Sequence, residues 1–355
     1  MSRKPEEIEI TPPQPKILTI NSDSKVGSRK RENYIDFLRA VAIICVVMSH
    51  VDGLYMNIGS YDTPTALFIY LFNLPLFFFL SGLFAPNGIH KGFVANVTKK
   101  ARQLLVPTIF VAIIAHFMIG YDVTKGYGAY WFSICLFVYF LVYFAIEKVS
   151  SNKYIVYGLL FMLSVSGIAA LVLIHDYSRF TYIDLNRWSK YFQYFALGVF
   201  ISKERLMDRI FGSKCIQILV PVSFFILFGM VLNGMLHGVV LNLTRDIVLR
   251  YLSVIMIVCW AYQWREKFDV SNTFNKYMNY IGTHTLEIYL LHFFFIPNLN
   301  FMHNFMTEEG RMFFDITFSL IVSLVIIAFC LLICTLLERN ELYGKYVIGK
   351  TNKRT

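Results

Sequence analysis

The sequence predicts an all-α integral membrane protein with about ten transmembrane helices in one bundle. The chain is 56% hydrophobic and only 16% charged, and its mean hydropathy of +0.54 does not suit a water-soluble protein of 355 residues. Aromatic residues make up 17% of the chain, which favours an interior facing lipid and an aromatic belt at the membrane surface. Apolar runs that can cross the ~30 Å hydrocarbon layer recur along the chain.

Polar segments flank the apolar part. Residues 1–34 contain four prolines, among them Pro12, Pro13 and Pro15, and no apolar run, so they resemble no signal peptide and are predicted to form a disordered cytosolic tail. Residues 338–355 are predicted to form a basic cytosolic tail. Between the two tails lie ten apolar stretches, at residues 35–55, 64–86, 104–121, 129–147, 154–174, 190–201, 216–235, 245–264, 280–296 and 311–337. The stretch at 190–201 is too short to span a membrane alone, so it must borrow from Arg187, Trp188 and Ser189 or lie protected inside the bundle.

The distribution of basic residues predicts the orientation of the bundle. Both tails and the loops on their side hold 25 Lys and Arg residues, whereas the opposite loops hold 3. By the positive-inside rule, both termini are expected in the cytosol of a multi-pass protein of the plasma membrane. The net charge of +10 is therefore interpreted as a topology signal and as contact with membrane lipid, and no nucleic-acid partner is expected. The six cysteines show no metal-ligand spacing, so no metal site is predicted.

Ionisable residues inside a membrane span are costly and are therefore candidates for function. The first span contains Asp36, Arg39 and, eleven residues after Arg39, His50. Eleven helical residues turn about 20° more than three full turns, so Arg39 and His50 share one helix face about 16 Å apart along the axis. A guanidinium suits phosphate binding, and an imidazole suits proton transfer or nucleophilic attack. The structural alternative is that Arg39 pairs with Asp36 at the cytosolic edge and that His50 is a hydrogen-bonded core residue.

Several motifs resemble a known family. Residues 36–50, DFLRAVAIICVVMSH, resemble the first-helix signature of membrane-bound acyltransferase family 3, which includes O-acetyltransferases of bacterial surface polysaccharides. Residues 72–82 are similar to the family's Phe-His-Met-Pro motif and the Ser-Gly that follows it, with Asn73 where the family commonly has His. Residues 99–107 resemble its basic pair before Leu-Leu-Pro, with Lys99 where Arg is usual.

Three more motifs extend the resemblance to most of the apolar part. Trp131 and Phe132 are similar to the start of the family's fourth span, and residues 195–198 are similar to the end of its sixth span. Residues 280–292, which end at His292, resemble the ninth span, with Thr285 in a position where the family has Ser. The resemblance implies an acyltransferase transmembrane domain over residues 35–337.

The resemblance also implies the substrates: acetyl-CoA as acyl donor on the cytosolic side and a carbohydrate hydroxyl as acceptor, with no metal. Arg39, Lys99 and Arg102 would then bind the phosphates of coenzyme A, and His50 would act at the thioester, since the pantetheine arm has about the length of the Arg39–His50 rise. Two routes stay open: His50 as general base in a direct transfer, or His50 as nucleophile that carries the acyl group.

The remaining candidates support these residues. His292 is expected at the depth of His50, where it would orient His50 or the acceptor. Asp36, Asn73, Trp131 and Glu287 are candidates for holding the acceptor or orienting catalytic groups, with Glu287 a candidate partner of Arg250 or of a histidine. Asp246, Arg250 and Asp315 are interpreted as structural.

The main alternative is a transporter or flippase of a lipid-linked sugar, because multi-helix proteins with intramembrane charges are also typical of transporters. A noncatalytic membrane scaffold is a third alternative, and it would leave Arg39 and His50 without a role. The sequence does not decide which sugar is modified, whether the acyl group is longer than acetyl, from which side the acceptor enters, or whether the chain forms a homo-oligomer.

Overall fold

A computed structural model describes residues 32–55, 58–120, 130–173, 185–269, 271–307 and 312–338. The predicted tails, residues 1–34 and 338–355, lie almost wholly outside the described residues. The part of the chain that is described is helical and includes no β-strand. This confirms the all-α class.

The helices of the first half correspond to the first five predicted spans. They are α1 (Asn33–His50), which continues into a π-helical turn at Val51–Tyr55, then α2 (Pro64–Phe84), α3 (Phe93–Ile119), α4 (Trp131–Val149) and α5 (Lys153–Leu173). Helix α3 begins well before the apolar stretch predicted at 104–121. The hydropathy pattern missed its first turns because they carry the polar and basic residues around Lys99.

The second half is more interrupted. Its helices are α6 (Leu185–Lys203), α7 (Met207–Phe211), α8 (Lys214–Leu232), α9 (Gly238–Leu243), α10 (Leu249–Gln263), α11 (Thr273–Thr283), α12 (Thr285–Leu291), α13 (His303–Thr307) and α14 (Met312–Glu338). A π-helical turn, Thr244–Val248, joins α9 to α10, and a 3-10 turn, His292–Phe294, extends α12.

Among the described residues, seven helices are long and apolar enough to cross a membrane, namely α1, α2, α3, α4, α5, α8 and α14. A multi-pass membrane protein is therefore confirmed, whereas the count of about ten is not. The other three predicted spans fall short for identifiable reasons. Helix α6 starts at Leu185, includes the residues that its short apolar stretch needed, and is rich in basic side chains. The eighth stretch is divided by its π-helical turn, and the ninth is broken at His284.

Helices α1 and α2 lie at the centre of the fold. In each, 72% of the most apolar window is buried inside the protein, compared with 6% for α8. Helix α1 packs against α2, α11, α12 and α14. Polar residues on α1 and α2 therefore face other helices and not lipid, which is the arrangement that intramembrane polar groups require.

Helix α2 also approaches α6 closely where two glycines meet. A Cβ at Gly82 would overlap the Phe195 carbonyl, and one at Gly198 would overlap the Phe79 carbonyl. The absence of side chains lets the two backbones touch, as small residues do at helix crossings in membranes.

Pro75, inside α2, deprives the Leu71 carbonyl of its usual helical donor. The Ser253 hydroxyl of α10 donates to that carbonyl at 3.2 Å. The carbonyl freed by Pro75 is therefore bonded by a neighbouring helix, and Asn73 lies between Leu71 and Pro75 in the sequence.

Candidate active site

Two histidines from distant parts of the chain meet inside the bundle. His50 ends α1 and His292 directly follows α12, and the Nδ1 atom of His50 lies 3.0 Å from the Nε2 atom of His292. The ring centroids are 5.0 Å apart. The break at His284 and the tight turn after Leu291 bring His292 to the end of α1. His50 and His292 were predicted to lie at the same depth in the membrane, and in the structure a direct hydrogen bond joins them.

The hydrogen-bond partners fix which ring nitrogens carry protons. The Nδ1 atom of His292 lies 3.1 Å from the Ile288 carbonyl, which can only accept, so Nδ1 of His292 is the donor. In the neutral ring, Nε2 of His292 is then an acceptor, and the proton of the shared hydrogen bond belongs to Nδ1 of His50. This leaves the Nε2 atom of a neutral His50 with a lone pair.

The two rings differ in accessibility. His292 is completely buried, whereas His50 is partly exposed. The ring of Phe293 packs against both, with centroids 4.9 Å from His50 and 4.0 Å from His292. His50 is therefore the ring that a substrate can reach, and His292 supports it from behind.

Asn73 contacts the residue next to His50. Its Nδ2 atom donates to the Ser49 hydroxyl at 3.3 Å, and that hydroxyl donates to the Val46 carbonyl at 2.8 Å. Asn73 is buried. An amide in the position where related sequences carry His thus links α2 to the end of α1.

A cavity of about 170 Å³ runs along the face of α1 that was predicted to be functional. Arg39, Ile43 and Val46 line it, and these residues follow the helical repeat toward His50. From α12, Thr285 and Tyr289 line the same cavity. Val46 and Tyr289 each stand about one helical turn before a histidine of the pair, so the cavity leads from Arg39 toward that pair.

Arg39 marks the other end of the cavity. Its guanidinium bonds the buried Asp36 carboxylate at 3.1 Å, and its side chain remains 31% exposed. The guanidinium also lies 4.9 Å from the centre of the Phe84 ring. Asp36 therefore pairs with Arg39, as the structural alternative expected, but Arg39 still borders the cavity.

Three cations lie on the first turns of α3. Lys99 and Arg102 are exposed, whereas Lys100 is partly buried and its ammonium lies 3.9 Å from the centre of the Phe140 ring. Sequence reasoning missed Lys100. A signal was present, because Lys100 precedes the cavity-lining Leu104 by four residues and so shares its helix face.

Two other candidates are Trp131, which packs against Tyr191 and Arg187, and Glu287. The Trp131 ring stacks on Tyr191 at 5.7 Å and has the Arg187 guanidinium 5.0 Å above it. Glu287 lies partly buried on α12. Arg250, its suggested partner, instead bonds the Asp246 carboxylate at 3.3 Å.

Two carboxylates are buried beyond the histidine pair: sequence reasoning missed Asp52, whereas Asp315 was interpreted as structural. Asp52, two residues after His50, accepts a hydrogen bond from the Ser319 hydroxyl at 2.5 Å, and Asp315 accepts one from the Thr63 hydroxyl at 3.3 Å. Both acids are buried. Among the described residues, no group of three or more His, Cys, Asp or Glu side chains is arranged to hold a metal ion.

Fold and site together define a multi-pass membrane protein whose paired histidines are suited to group transfer. A family model described as an acyltransferase domain, that of acyltransferase family 3, matches residues 32–339, and the chain therefore belongs to this family. The family predicted from the sequence motifs is confirmed, and the chain is a multi-pass membrane member of that family.

The curated relatives cover a smaller part of the chain. Nodulation protein NolL of Sinorhizobium fredii is 32% identical over 134 residues, which are 33% of this chain and 37% of the relative. Nodulation protein NolL of Mesorhizobium japonicum is 28% identical over 134 residues, 33% of this chain and 36% of the relative. The matched part thus spans little more than a third of either relative. No solved structure matches the chain.

Proposed function

We propose that the protein is an O-acyltransferase that moves an acyl group, acetyl in the first instance, from acyl-CoA to a hydroxyl of a cell-envelope polysaccharide or of its lipid-linked sugar precursor. The observation that carries the proposal is the cavity lined by Arg39, Ile43 and Val46, on the face of α1 that continues to the His50–His292 pair. The two ends of this helix face suit the two ends of coenzyme A, because a cation suits phosphate and an imidazole suits the thioester.

In this proposal the donor enters from the cytosol at Arg39. Arg39, Lys99 and Arg102 bind its phosphates, and Lys100, one helical turn before the cavity-lining Leu104, adds a fourth cation. The Asp36 carboxylate positions the Arg39 guanidinium. The pantetheine arm lies along Ile43 and Val46, and the helical rise of about 16 Å brings the thioester to His50.

His50 then acts through Nε2. In a direct transfer, Nε2 takes the proton of the acceptor hydroxyl while the hydroxyl oxygen attacks the thioester carbonyl carbon. The carbon–sulfur bond breaks, and the imidazolium returns the proton to the sulfur of coenzyme A. His292 is a positioning residue, because it accepts the Nδ1 proton of His50 and so directs the lone pair of Nε2 toward the substrates.

The second route uses the same atom as a nucleophile. Nε2 attacks the carbonyl carbon, the carbon–sulfur bond breaks, and coenzyme A leaves as the thiolate while the acyl group stays on His50. An acceptor hydroxyl oxygen then attacks the acyl carbon, the bond to Nε2 breaks, and the hydroxyl proton neutralises the thiolate. His292 can receive the Nδ1 proton of His50 as the acyl-imidazole forms. Trapping of an acylated His50 in the absence of acceptor separates this route from direct transfer.

The acceptor is expected at the His50 end of the bundle, with Asn73 and Trp131 as contacts and Glu287 as an orienting group. Both termini are placed in the cytosol and the protein in the plasma membrane, on the strength of the basic-residue distribution. Membership in an acyltransferase family favours acyl transfer over the transporter alternative.

The test measures donor binding and turnover separately. Acetyl-CoA is titrated calorimetrically into detergent-solubilised wild type, Arg39→Ala, His50→Ala and Lys276→Gln, the last an exposed cation on α11 that serves as control. Release of free coenzyme A thiol is measured in parallel. We expect binding to weaken about tenfold in Arg39→Ala, to persist in His50→Ala, and turnover to fall by about 10³ in His50→Ala.

Folded wild-type protein that binds no acetyl-CoA would overturn the donor assignment and bring the transporter alternative forward. Full turnover in His50→Ala would overturn the role of His50. An unchanged Lys276→Gln shows that neither loss comes from charge removal in general.

A further inference from the structure

A second charged group lies at the His50 end of the bundle, outside the cavity. Four residues form it, and we call it the Arg250 cluster: Lys190 on α6, Arg245 and Asp246 in the π-helical turn, and Arg250 on α10. Three separate elements of the chain thus converge on one point. No sequence motif singled out the group.

One carboxylate serves three cations in the Arg250 cluster. Asp246 lies 2.9 Å from the Arg245 guanidinium, 3.3 Å from that of Arg250 and 3.5 Å from the Lys190 ammonium. The Tyr61 hydroxyl donates to the same carboxylate at 3.3 Å. The cluster therefore carries two positive charges in excess of its single negative charge.

The excess charge is partly withdrawn from water. The Arg250 side chain is completely buried, and its Nε atom has no hydrogen-bond acceptor among the residues that the structure describes. The side chains of Lys190 and Arg245 are 18% and 20% exposed, respectively. A buried, incompletely paired cation is costly, so a bound anion would compensate for the arrangement.

Aromatic rings surround these cations. The Arg250 guanidinium lies 4.3 Å from the centre of the Tyr70 ring, and the Lys190 ammonium bonds the Tyr70 hydroxyl at 2.8 Å. The Arg245 guanidinium lies 4.0 Å from the Tyr61 ring. Arg250 also bonds the Tyr191 hydroxyl, and the Tyr191 ring stacks on Trp131. Aromatic faces beside a few directed polar groups are typical of small-molecule sites.

The Arg250 cluster is close to the reacting histidine. Tyr70 stands three residues, about 4.5 Å of helical rise, before Asn73, which bonds the neighbour of His50. The Arg187 guanidinium adds a further cation beside the stacked rings of Trp131 and Tyr191. The α2 residues that contact the cluster and the neighbour of His50, Tyr70 and Asn73, thus lie within one helical turn of each other.

We propose that the Arg250 cluster binds a negatively charged group of the acceptor, so that the acceptor is an anionic saccharide carrying a carboxylate or a phosphate. Bidentate guanidinium groups recognise both anions. The charged group anchors the saccharide, and a hydroxyl of the same or the adjacent ring reaches the Nε2 atom of His50. This inference rests on the proposed function, since it names the substrate class of that site.

The test uses pairs of saccharides in which one member carries an anionic group, a carboxylate or a phosphate, and the other member is neutral. A tetramer of galacturonic acid, the tetramer of galactose with the same linkage, galactose 1-phosphate and galactose are titrated calorimetrically, without donor, into protein in phosphatidylcholine nanodiscs. We expect one or both anionic probes to bind at least tenfold more tightly than their neutral counterparts. Tighter binding of the galacturonic acid tetramer would indicate a carboxylate site, and tighter binding of galactose 1-phosphate would indicate a phosphate site.

Variants locate the effect. Lys190→Gln and Arg245→Gln are each expected to weaken anionic binding about tenfold and to leave neutral binding unchanged. These partly exposed residues avoid the folding risk of replacing the buried Arg250. Lys276→Gln removes an exposed positive charge on α11; it is the matched control and is expected to bind like wild type.

Equal affinity for charged and neutral probes would overturn the proposal, and so would an equal loss in Lys276→Gln. Loss of anionic binding in phosphatidylglycerol nanodiscs would instead assign the cluster to a lipid headgroup. Anionic binding without any turnover of acetyl-CoA would overturn the proposed function while leaving the binding site intact, so the two failures are distinguishable.

Discussion

The two ends of the polar face of α1 are built differently. At one end, Arg39 is a permanent cation paired with Asp36, and its side chain is 31% exposed. At the other end, His50 bonds the fully buried His292, and both rings can be neutral. A charge near water can attract an ionic ligand without a large desolvation cost, whereas a ring held in one tautomer can exchange a proton.

In the proposed function, one helix face therefore separates donor binding at Arg39 from acyl transfer at His50 by depth in the membrane. Changes at the Arg39 end should act mainly on the affinity for the donor, measured as KM. Changes at the histidine end should act mainly on the turnover number, kcat. A variant at either end that changes KM and kcat together would contradict this separation.

Among variants that leave His50 itself unchanged, the largest effect is expected at His292. In His292→Leu the acceptor for the Nδ1 proton of His50 is lost, so Nε2 is no longer directed, and we expect kcat to fall about 100-fold. His292→Gln places an amide oxygen near the former Nε2 position and should recover part of the loss. The measurement is steady-state release of coenzyme A, with KM and kcat determined separately.

Calorimetric binding of acetyl-CoA is the control for folding, and it should be the same in both His292 variants. A simple packing defect would lower binding and turnover together and would not distinguish Gln from Leu. Equal kcat for the two variants would therefore argue against a positioning role.

The histidine end was largely predictable. The spacing of Arg39 and His50 placed both on one face, and the cavity lined by Arg39, Ile43 and Val46 follows that face. The depth of His292 was also predicted. The hydrogen bond between the histidines was not, because it depends on the break at His284 and on the turn after Leu291, which hydropathy does not reveal.

The Arg250 cluster shows where the sequence could not suffice. Lys190 and Arg250 are 60 positions apart in the chain, and each alone is typical of a structural charge in a span. Their meeting depends on the packing of α2 against α6 and α10, which local patterns do not encode. The short sixth stretch was recognised only because its basic start was included.

A smaller effect is expected at the Arg39 end. Arg39→Lys keeps the positive charge beside Asp36 but loses the planar fork that binds phosphate oxygens in pairs. We expect KM for acetyl-CoA to rise about tenfold and kcat to stay within about twofold. Initial rates over a range of donor concentrations test this prediction.

Arg209→Gln, which removes an exposed cation of α7, is the control and should leave both constants unchanged. A fall in kcat with constant KM in Arg39→Lys would reverse the assignment of the two ends.

The smallest effect is expected at an ionic contact outside both ends. Glu204, just after α6, accepts hydrogen bonds from the Tyr157 hydroxyl at 2.6 Å and the Lys153 ammonium at 2.9 Å. These partners, Tyr157 first, lower the pKa of Glu204. A lowered pKa in the folded state stabilises the protein above the pKa of the unfolded state, and this stabilisation is lost as the pH falls through the folded-state value.

Glu204→Gln should therefore lower the melting temperature at pH 7 by only about 1 °C, since exposed ion pairs contribute little, and should leave KM and kcat unchanged. The difference should shrink as the pH falls through the lowered pKa of Glu204, because the wild-type carboxylate then becomes protonated. Glu266→Gln, an exposed carboxylate in the turn after α10, provides the matched control. A loss of activity in Glu204→Gln would mean that the α5–α6 junction is coupled to the histidine pair, and the separation of binding from chemistry along α1 would then be incomplete.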